Sequence, residues 1–146
     1  MAHLQTSAVA LRIIGDDLDP DEITKLLGVP PTIAEKKGDR ITGKNPGYRI
    51  ARSGMWRLRT RDRQPESLQG QIEEILGQLT PDLAVWKNLA LRYRVELFCG
   101  LFMDKGNEGL ILPPKPLADL GVRGIELQLD IYGPARADMG DTGKAA

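Results

Sequence analysis

Apolar residues recur with a period of two in several short stretches of the chain, a spacing typical of β-strands. The pattern predicts strands over residues 8–14, 91–103 and 125–131. Residues 48–51 and 55–60 are predicted to pair with each other as a hairpin. The apolar side chains expected on the covered side of the resulting sheet are Val9, Leu11, Ile13, Leu97, Ile125, Leu127, Leu129 and Ile131.

Helical spacing of apolar residues predicts helices between these strands. Asp19 and Pro20 have the composition of a helix start, and Gly28 that of a helix end, so a short helix is predicted between them. Longer helical patterns begin at Pro65 and at Asp82. The apolar stripes of the three helices are Ile23, Leu26 and Leu27, then Leu68, Ile72, Ile75, Leu76 and Leu79, then Leu83, Trp86 and Leu89.

The order of these elements predicts an α+β domain with a mainly antiparallel sheet of about four core strands and two main helices on one face. A ferredoxin-like sandwich is the favoured topology. One domain is expected to span residues 1–132, and residues 133–146, which contain little to bury, are expected to form a disordered tail. Residues 30–47 are polar, basic and rich in Gly and Pro, and predict a long loop.

Charge is distributed unevenly, although the formal net charge is +0. Residues 35–63 carry 10 of the 20 lysines and arginines against three acids. Two interpretations stay open, a solvated surface paired with acidic neighbours or an anion-binding surface where residues 36–49 approach the strand at 55–60. The candidate ligand-binding residues of the second are Lys36, Lys37, Arg40, Lys44, Arg49, Arg57 and Arg59.

Several classes of chemical site are disfavoured. One histidine and one cysteine do not supply a His- or Cys-rich metal site, a disulfide framework or a Cys–His catalytic pair. The stretch from Gly38 to Lys44 matches most of a phosphate-loop pattern, but Asn45 replaces the required hydroxyl and Pro46 stops the required helix. We therefore expect no metal, no cofactor and no catalytic residue, and the sequence favours a protein that is not an enzyme.

The residues between the inward-facing ones define an outer sheet face rich in arginine. Its predicted members are Arg12, Arg57, Arg59, Arg61, Arg92, Arg94, Glu96, Glu126, Gln128 and Asp130. Cross-strand ion pairs are the simplest account of these charges. Trp56 and Tyr93 alternate with the arginines and are predicted to point to the opposite side, so base stacking, and with it a nucleic-acid partner, is not expected.

A set of short motifs extends over nearly the whole chain. The motifs are residues 15–32 (GDDLDPDEITKLLGVPPT), Lys37-Gly38-Asp39, Met55-Trp56-Arg57-Leu58, Leu120-Gly121-Val122 and residues 125–132. In these motifs the chain resembles a family of small bacterial proteins catalogued only as a domain of unknown function. The resemblance implies one compact α+β domain of bacterial, cytoplasmic origin, and it supplies no catalytic residue.

Together these patterns favour a non-enzymatic protein-interaction or self-association module that uses an edge strand or a sheet face. Its expected partner is another protein or a second copy of the chain. The alternative is a protein that binds, or converts, a small anionic ligand through the basic 36–61 segment. No apolar run approaches the length of a membrane span, so we expect a cytoplasmic protein without a membrane partner.

Overall fold

A sheet with helices on one face makes up the part of the chain that the computed structural model describes, residues 4–43 and 46–134. The strands are β1 (Thr6–Gly15), β2 (Ile33–Glu35), β3 (Arg40–Thr42), β4 (Tyr48–Ile50), β5 (Gly54–Arg59), β6 (Arg94–Phe102) and β7 (Glu126–Tyr132). The helices are α1 (Pro20–Leu27), α2 (Leu68–Gln78), α3 (Leu83–Arg92) and α4 (Pro114–Val122). The predicted α+β class is confirmed.

The main sheet has five strands in the order β2-β5-β1-β6-β7. Strand β1 lies at the centre and pairs antiparallel with β5 and β6, whereas β6 and β7 are parallel and are connected through α4. The mainly antiparallel sheet is therefore confirmed, with one strand more than the four expected. The ferredoxin-like arrangement is not confirmed, because β6 and β7 are direct neighbours rather than parallel strands split by a third.

The hydrophobic core forms between the sheet and the helices from the residues that alternate in the sequence. Leu11 on β1 lies opposite Leu58 on β5 and Leu97 on β6. The helices add Ile23, Leu68, Ile72, Ile75, Trp86 and Leu89 to the same cluster. Burying each leucine or isoleucine contributes about 1.5–3 kcal/mol, so this layer is the main source of stability.

Helix α1 has the ends that its sequence predicts. The Asp19 carboxylate accepts a hydrogen bond from the Asp21 amide at 3.1 Å, and Pro20 is the first helical residue. At the other end Gly28 adopts a left-handed φ of 93° and its amide donates to the Thr24 carbonyl at 2.8 Å. A side chain at Gly28 would be strained in that conformation, which is why glycine ends the helix there.

The predicted hairpin between residues 48–51 and 55–60 is wrong. Strand β4 pairs with β3 in a separate two-stranded sheet, and β5 pairs with β1 on one side and β2 on the other. Burial explains the difference, because Trp56 on β5 meets Ile13 of β1 in the core, whereas every residue of β4 is exposed. The long loop predicted over residues 30–47 contains the two short strands β2 and β3.

Several element boundaries differ from the prediction, most of them by one or two residues. The strand predicted from residue 91 begins at Arg94, because α3 continues to Arg92 and leaves Leu91 79% exposed. Helix α2 begins at Leu68 rather than at Pro65. Helix α3 begins at Leu83, whose side chain was predicted to face inward and is exposed instead.

Strand β7 departs most from its predicted burial. Leu129 and Ile131, predicted to face inward, are 48% and 57% exposed. The reason is that β7 is the last strand of the sheet, and the core ends at Ile125 and Leu127. The predicted tail lies outside the described residues from position 135 onward. In the described ranges, no helix combines the length and apolarity needed to cross a bilayer.

Cys99 lies in the core on β6 and is 0% exposed. Burial raises the pKa of its thiol to about 12, so the reactive thiolate is scarce at ordinary pH. We expect native protein at pH 8 to be inert toward a thiol-reactive dye and denatured protein to react at once. Stoichiometric labelling of the native protein would contradict this prediction.

Candidate binding surface on the open sheet face

The face of the five-stranded sheet opposite the core cluster is called the open face here. Strand registers assign to it Ile33 and Glu35 of β2, Met55, Arg57 and Arg59 of β5, Ala8, Ala10, Arg12 and Ile14 of β1, Arg94, Glu96, Phe98, Gly100 and Phe102 of β6, and Glu126, Gln128, Asp130 and Tyr132 of β7. This is the arginine-rich face that the sequence predicts. Arg61 and Arg92 are not part of it, because Arg61 follows β5 and Arg92 ends α3.

A network of charged groups joins three strands at one end of the open face. Glu96 is 1% exposed and forms an ion pair with Arg12 and a second one, at 3.0 Å, with Arg94. The Gln128 amide donates to Glu96 at 2.6 Å, and Arg94 also pairs with Glu126 at 3.2 Å. Hydrogen bonds from Gln128 and Arg94 lower the pKa of the Glu126 carboxyl. The charges of this network therefore neutralise one another.

A small cavity, which we call the arginine–aromatic cavity, lies beside this network. Its volume is about 100 Å³, which is room for one side chain or one phosphate-sized group. Small residues form its floor, arginines one wall and aromatic rings the other. These residues are Ala8, Ala10 and Gly100, then Arg57 and Arg59, then Phe98, Phe102 and Tyr132.

The aromatic wall is held in place by stacking. The rings of Phe102 and Tyr132 lie parallel with centroids 4.8 Å apart, and the Arg12 guanidinium lies 4.4 Å from the centre of the Phe98 ring. Gly100 keeps the floor low, since a Cβ at this position would come within 3.3 Å of the Phe102 ring. The cavity therefore depends on a small residue at Gly100 and on the neighbouring ring pair.

Arg57 is the charged group of this cavity that lacks an acidic partner among the described residues. Its Nε is buried without a hydrogen bond, and burial followed by repulsion from Arg59 and Arg12 lowers the pKa of its guanidinium. Arginine nevertheless stays protonated at neutral pH. Arg59 differs, because it pairs with Asp62 at 3.3 Å on the exposed side. An anion in the cavity would offset the repulsion on Arg57.

The other residues of the predicted anion site lie outside the arginine–aromatic cavity. Lys36 pairs with Asp19 at 3.7 Å, and Lys37 pairs with Asp16 at 3.3 Å. Lys44 lies outside the described residues.

The β3–β4 hairpin carries two more residues of that predicted site. The Arg40 guanidinium lies 4.0 Å above the Tyr48 ring, and Arg49 pairs with Glu35 at 3.1 Å. Arg49 lines a depression of about 770 Å³ between the hairpin and β5, together with Ile14, Ile50 and Met55. An anion site at this depression stays a prediction, and of the seven candidates Arg57 and Arg59 share the arginine–aromatic cavity.

Aromatic side chains lie on the open face, contrary to the expectation from the sequence. Trp56 and Tyr93 are buried in the core as predicted, but Phe98, Phe102 and Tyr132 lie on the open face with the arginines. Alternation along β6 and β7 contains this information, since Phe98 has the phase of Glu96 and Tyr132 that of Glu126.

The fold and this surface define an α+β domain whose five-stranded sheet is covered by helices on one side. The chain belongs to the family described as Domain of unknown function (DUF4279), which matches residues 4–134. This confirms the membership indicated by the sequence motifs. No curated protein and no solved structure matches the chain significantly.

Proposed function

We propose that this domain is a non-enzymatic protein-interaction module whose open face binds an acidic segment of a partner protein at the arginine–aromatic cavity. The observation that supports this is the position of Arg57, partly buried and without an acidic partner in the described structure, next to exposed Phe102 and Tyr132. Arginine, tyrosine and phenylalanine are enriched at protein interfaces, and arginine and tyrosine are frequent hot spots.

The cavity size favours one inserted side chain from a larger partner over a whole small ligand. Small-molecule pockets commonly measure about 300–1,000 Å³, whereas this cavity measures about 100 Å³. A partner carboxylate inserted here pairs with Arg57, and an apolar neighbour on the partner packs on the Phe102–Tyr132 ring pair. The internally neutralised network around Glu96 forms a polar rim on the β6–β7 side.

The polar groups of the cavity support binding rather than catalysis. Arginine does not act as a general base at neutral pH, because it does not give up its proton. The Tyr132 hydroxyl donates a hydrogen bond to Asp130 at 2.5 Å, and this bond raises the pKa of the phenol. Neither the arginines nor Tyr132 is therefore suited to proton transfer at neutral pH.

A small anionic ligand is the second candidate, and the same cavity supports it. Arg57 and Arg59 lie on one wall of a space large enough for a phosphate, sulfate or carboxylate group. Charge-assisted hydrogen bonds from arginine to such groups are among the stronger polar contacts in proteins. The two candidates differ in whether the aromatic wall contributes to affinity.

The proposal is tested with a labelled peptide of alternating Glu and Phe, titrated with the protein by fluorescence anisotropy. The double variant Arg57→Gln/Arg59→Gln is expected to weaken binding at least tenfold, or about 1.4 kcal/mol, because the peptide carboxylates lose their charged partners. The matched control is Lys36→Gln/Lys37→Gln, which removes the same charge from lysines already paired with Asp16 and Asp19. The control should change the affinity less than twofold.

Equal loss in both double variants would mean that only net charge attracts the peptide, and the proposal would then fail. The small-anion alternative is tested by measuring the melting temperature in about 10 mM phosphate or sulfate and in chloride at equal ionic strength. A specific site raises the melting temperature only with phosphate or sulfate, whereas general screening acts equally with all three anions. Stabilisation by phosphate that Arg57→Gln/Arg59→Gln abolishes, with no peptide binding, would support the small-ligand function instead.

A further inference from the structure

Strand β7 ends the main sheet with a free backbone edge in the described structure. The Tyr132 carbonyl accepts a hydrogen bond from the Met103 amide at 2.9 Å, so the polar backbone groups of Tyr132 point toward β6. Because these groups alternate along a strand, those of Leu127, Leu129 and Ile131 point away from the sheet. Within residues 4–43 and 46–134 no backbone bond to another element reaches this outer side.

The same three residues carry an exposed apolar row on the helix side of the sheet. Leu129 and Ile131 are 48% and 57% exposed, and Leu127 is partly buried. Proteins normally protect an edge strand with lysine, proline, a bulge or short length. Strand β2 at the opposite edge is short, with three residues, whereas β7 has seven and contains neither lysine nor proline.

We propose that a second copy of this chain pairs with β7 in antiparallel orientation, with the two-fold axis at Leu129. The two five-stranded sheets then join into one continuous sheet. The apolar rows of the two copies meet on the helix side, and the two open faces lie side by side. This inference is independent of ligand binding at the arginine–aromatic cavity.

The charges on β7 select this register. With the axis at Leu129, the uncharged Gln128 lies opposite Asp130 of the second copy, and Glu126 lies opposite Tyr132, so no two carboxylates face each other. An axis at Gln128 instead places Glu126 opposite Asp130, and an axis at Asp130 places that carboxylate opposite itself. Like charges directly opposite each other are destabilising, so both alternatives are disfavoured.

Side-chain alternation excludes a two-fold axis that lies between two residues, for example between Gln128 and Leu129. An odd shift would put the apolar row of one copy on the polar side of the other. Axes nearer to either end of β7 shorten the pairing and leave part of the apolar row exposed. The Leu129 axis also allows backbone hydrogen bonds between the copies. It places Leu127 opposite Ile131 of the second copy, and the amides and carbonyls of both residues point outward from their sheets. Each such pair exchanges two backbone hydrogen bonds.

Light scattering coupled to size exclusion tests the association. Wild-type protein at about 100 µM is expected to be a dimer, and Leu129→Glu to be a monomer, because the substitution places two carboxylates on the axis. The matched control is Leu83→Glu, the same change at an exposed leucine in the first turn of α3, the end of that helix that adjoins α1. The control should remain a dimer, and circular dichroism should show that both variants are folded.

Single cysteines test the register. Residues paired in this way have Cα atoms about 5.5 Å apart, within disulfide range, whereas the two Ile131 positions are about four residues apart along the strand and out of range. With a copper–phenanthroline oxidant, Leu129→Cys should form a covalent dimer and Ile131→Cys alone should not. A mixture of Leu127→Cys and Ile131→Cys should cross-link, and buried Cys99 should not interfere.

A monomeric wild type would overturn the inference. So would self-cross-linking of Ile131→Cys at the rate of Leu129→Cys, because that result requires another register. Loss of the dimer in Leu83→Glu as well would place the interface elsewhere. None of these measurements depends on Arg57 or Arg59, so their failure is distinguishable from failure of the proposed function.

Discussion

Replacing Gln71 with leucine is expected to lower the free energy of unfolding by about 3 kcal/mol, because it breaks several buried hydrogen bonds at once. Gln71 lies on α2 and is 0% exposed. Its Oε1 accepts from the Ser7 hydroxyl at 2.6 Å, and its Nε2 donates to the carbonyls of Ser7 at 3.0 Å and Arg61 at 2.9 Å. Leucine has a similar volume but leaves the Ser7 hydroxyl without its acceptor and removes one hydrogen bond from each of the two carbonyls.

Urea denaturation at pH 7 measures this effect. The matched control is Gln78→Leu, the same substitution at an exposed position of α2, which should change stability by less than about 0.5 kcal/mol. If the two variants lose similar stability, then the buried amide does not anchor α2 to β1, and the cost comes from helix propensity or surface polarity.

Local sequence signals predicted the elements whose partners are close in the chain or whose apolar pattern is regular. Helix α1 has its cap at Asp19 and its end at Gly28 because capping involves only neighbouring residues. The stripe of α2 and the inward row of β1 are also confirmed, since burial follows alternation or helical spacing directly. Charge alternation correctly indicated the ion pairs on the open face.

Long-range pairing was harder to predict. Residues 48–50 and 54–59 are separated by a short turn, which favours a hairpin, yet β5 pairs with β1 because apolar Trp56 and Leu58 contact the core there. Burial at the sheet edge was also missed, since the sequence does not show that β7 has one neighbour. Gln71 carries no sequence signal, because its partners Ser7 and Arg61 are brought to it only by the fold.

The candidate site could be predicted from the sequence only in part. Arg57 and Arg59 were identified from charge density, and their common face follows from alternation. The sequence does not show which arginines form ion pairs, because the pairing depends on the fold. Arg12 is paired with Glu96, whereas Arg57 has no acidic partner in the described ranges. The aromatic wall is not evident from Trp56 and Tyr93, which point into the core, and follows only when the alternation of β6 is extended from Glu96 to Phe98.

Replacing Arg12 with methionine is expected to cost about 3 kcal/mol of folding stability, measured by urea denaturation. Glu96 is 1% exposed, and losing one partner leaves a buried carboxylate with reduced compensation. The cost falls at the lower end of the range for broken buried pairs, because Arg94 still contacts Glu96 at 3.0 Å. Removing Arg12 also relieves its repulsion of Arg57, which offsets part of the loss.

The double variant Arg12→Met/Glu96→Leu separates the cost of an unpaired charge from the value of the ion pair itself. Replacing both members of a buried pair by apolar residues is commonly neutral or stabilising, so we expect the double variant to regain most of the stability that Arg12→Met loses. If it loses the sum of the two single changes instead, then Arg12 stabilises the sheet through its packing on Phe98, at 4.4 Å, and not through Glu96. In that case Arg12→Met should also weaken peptide binding, because Phe98 forms part of the cavity wall.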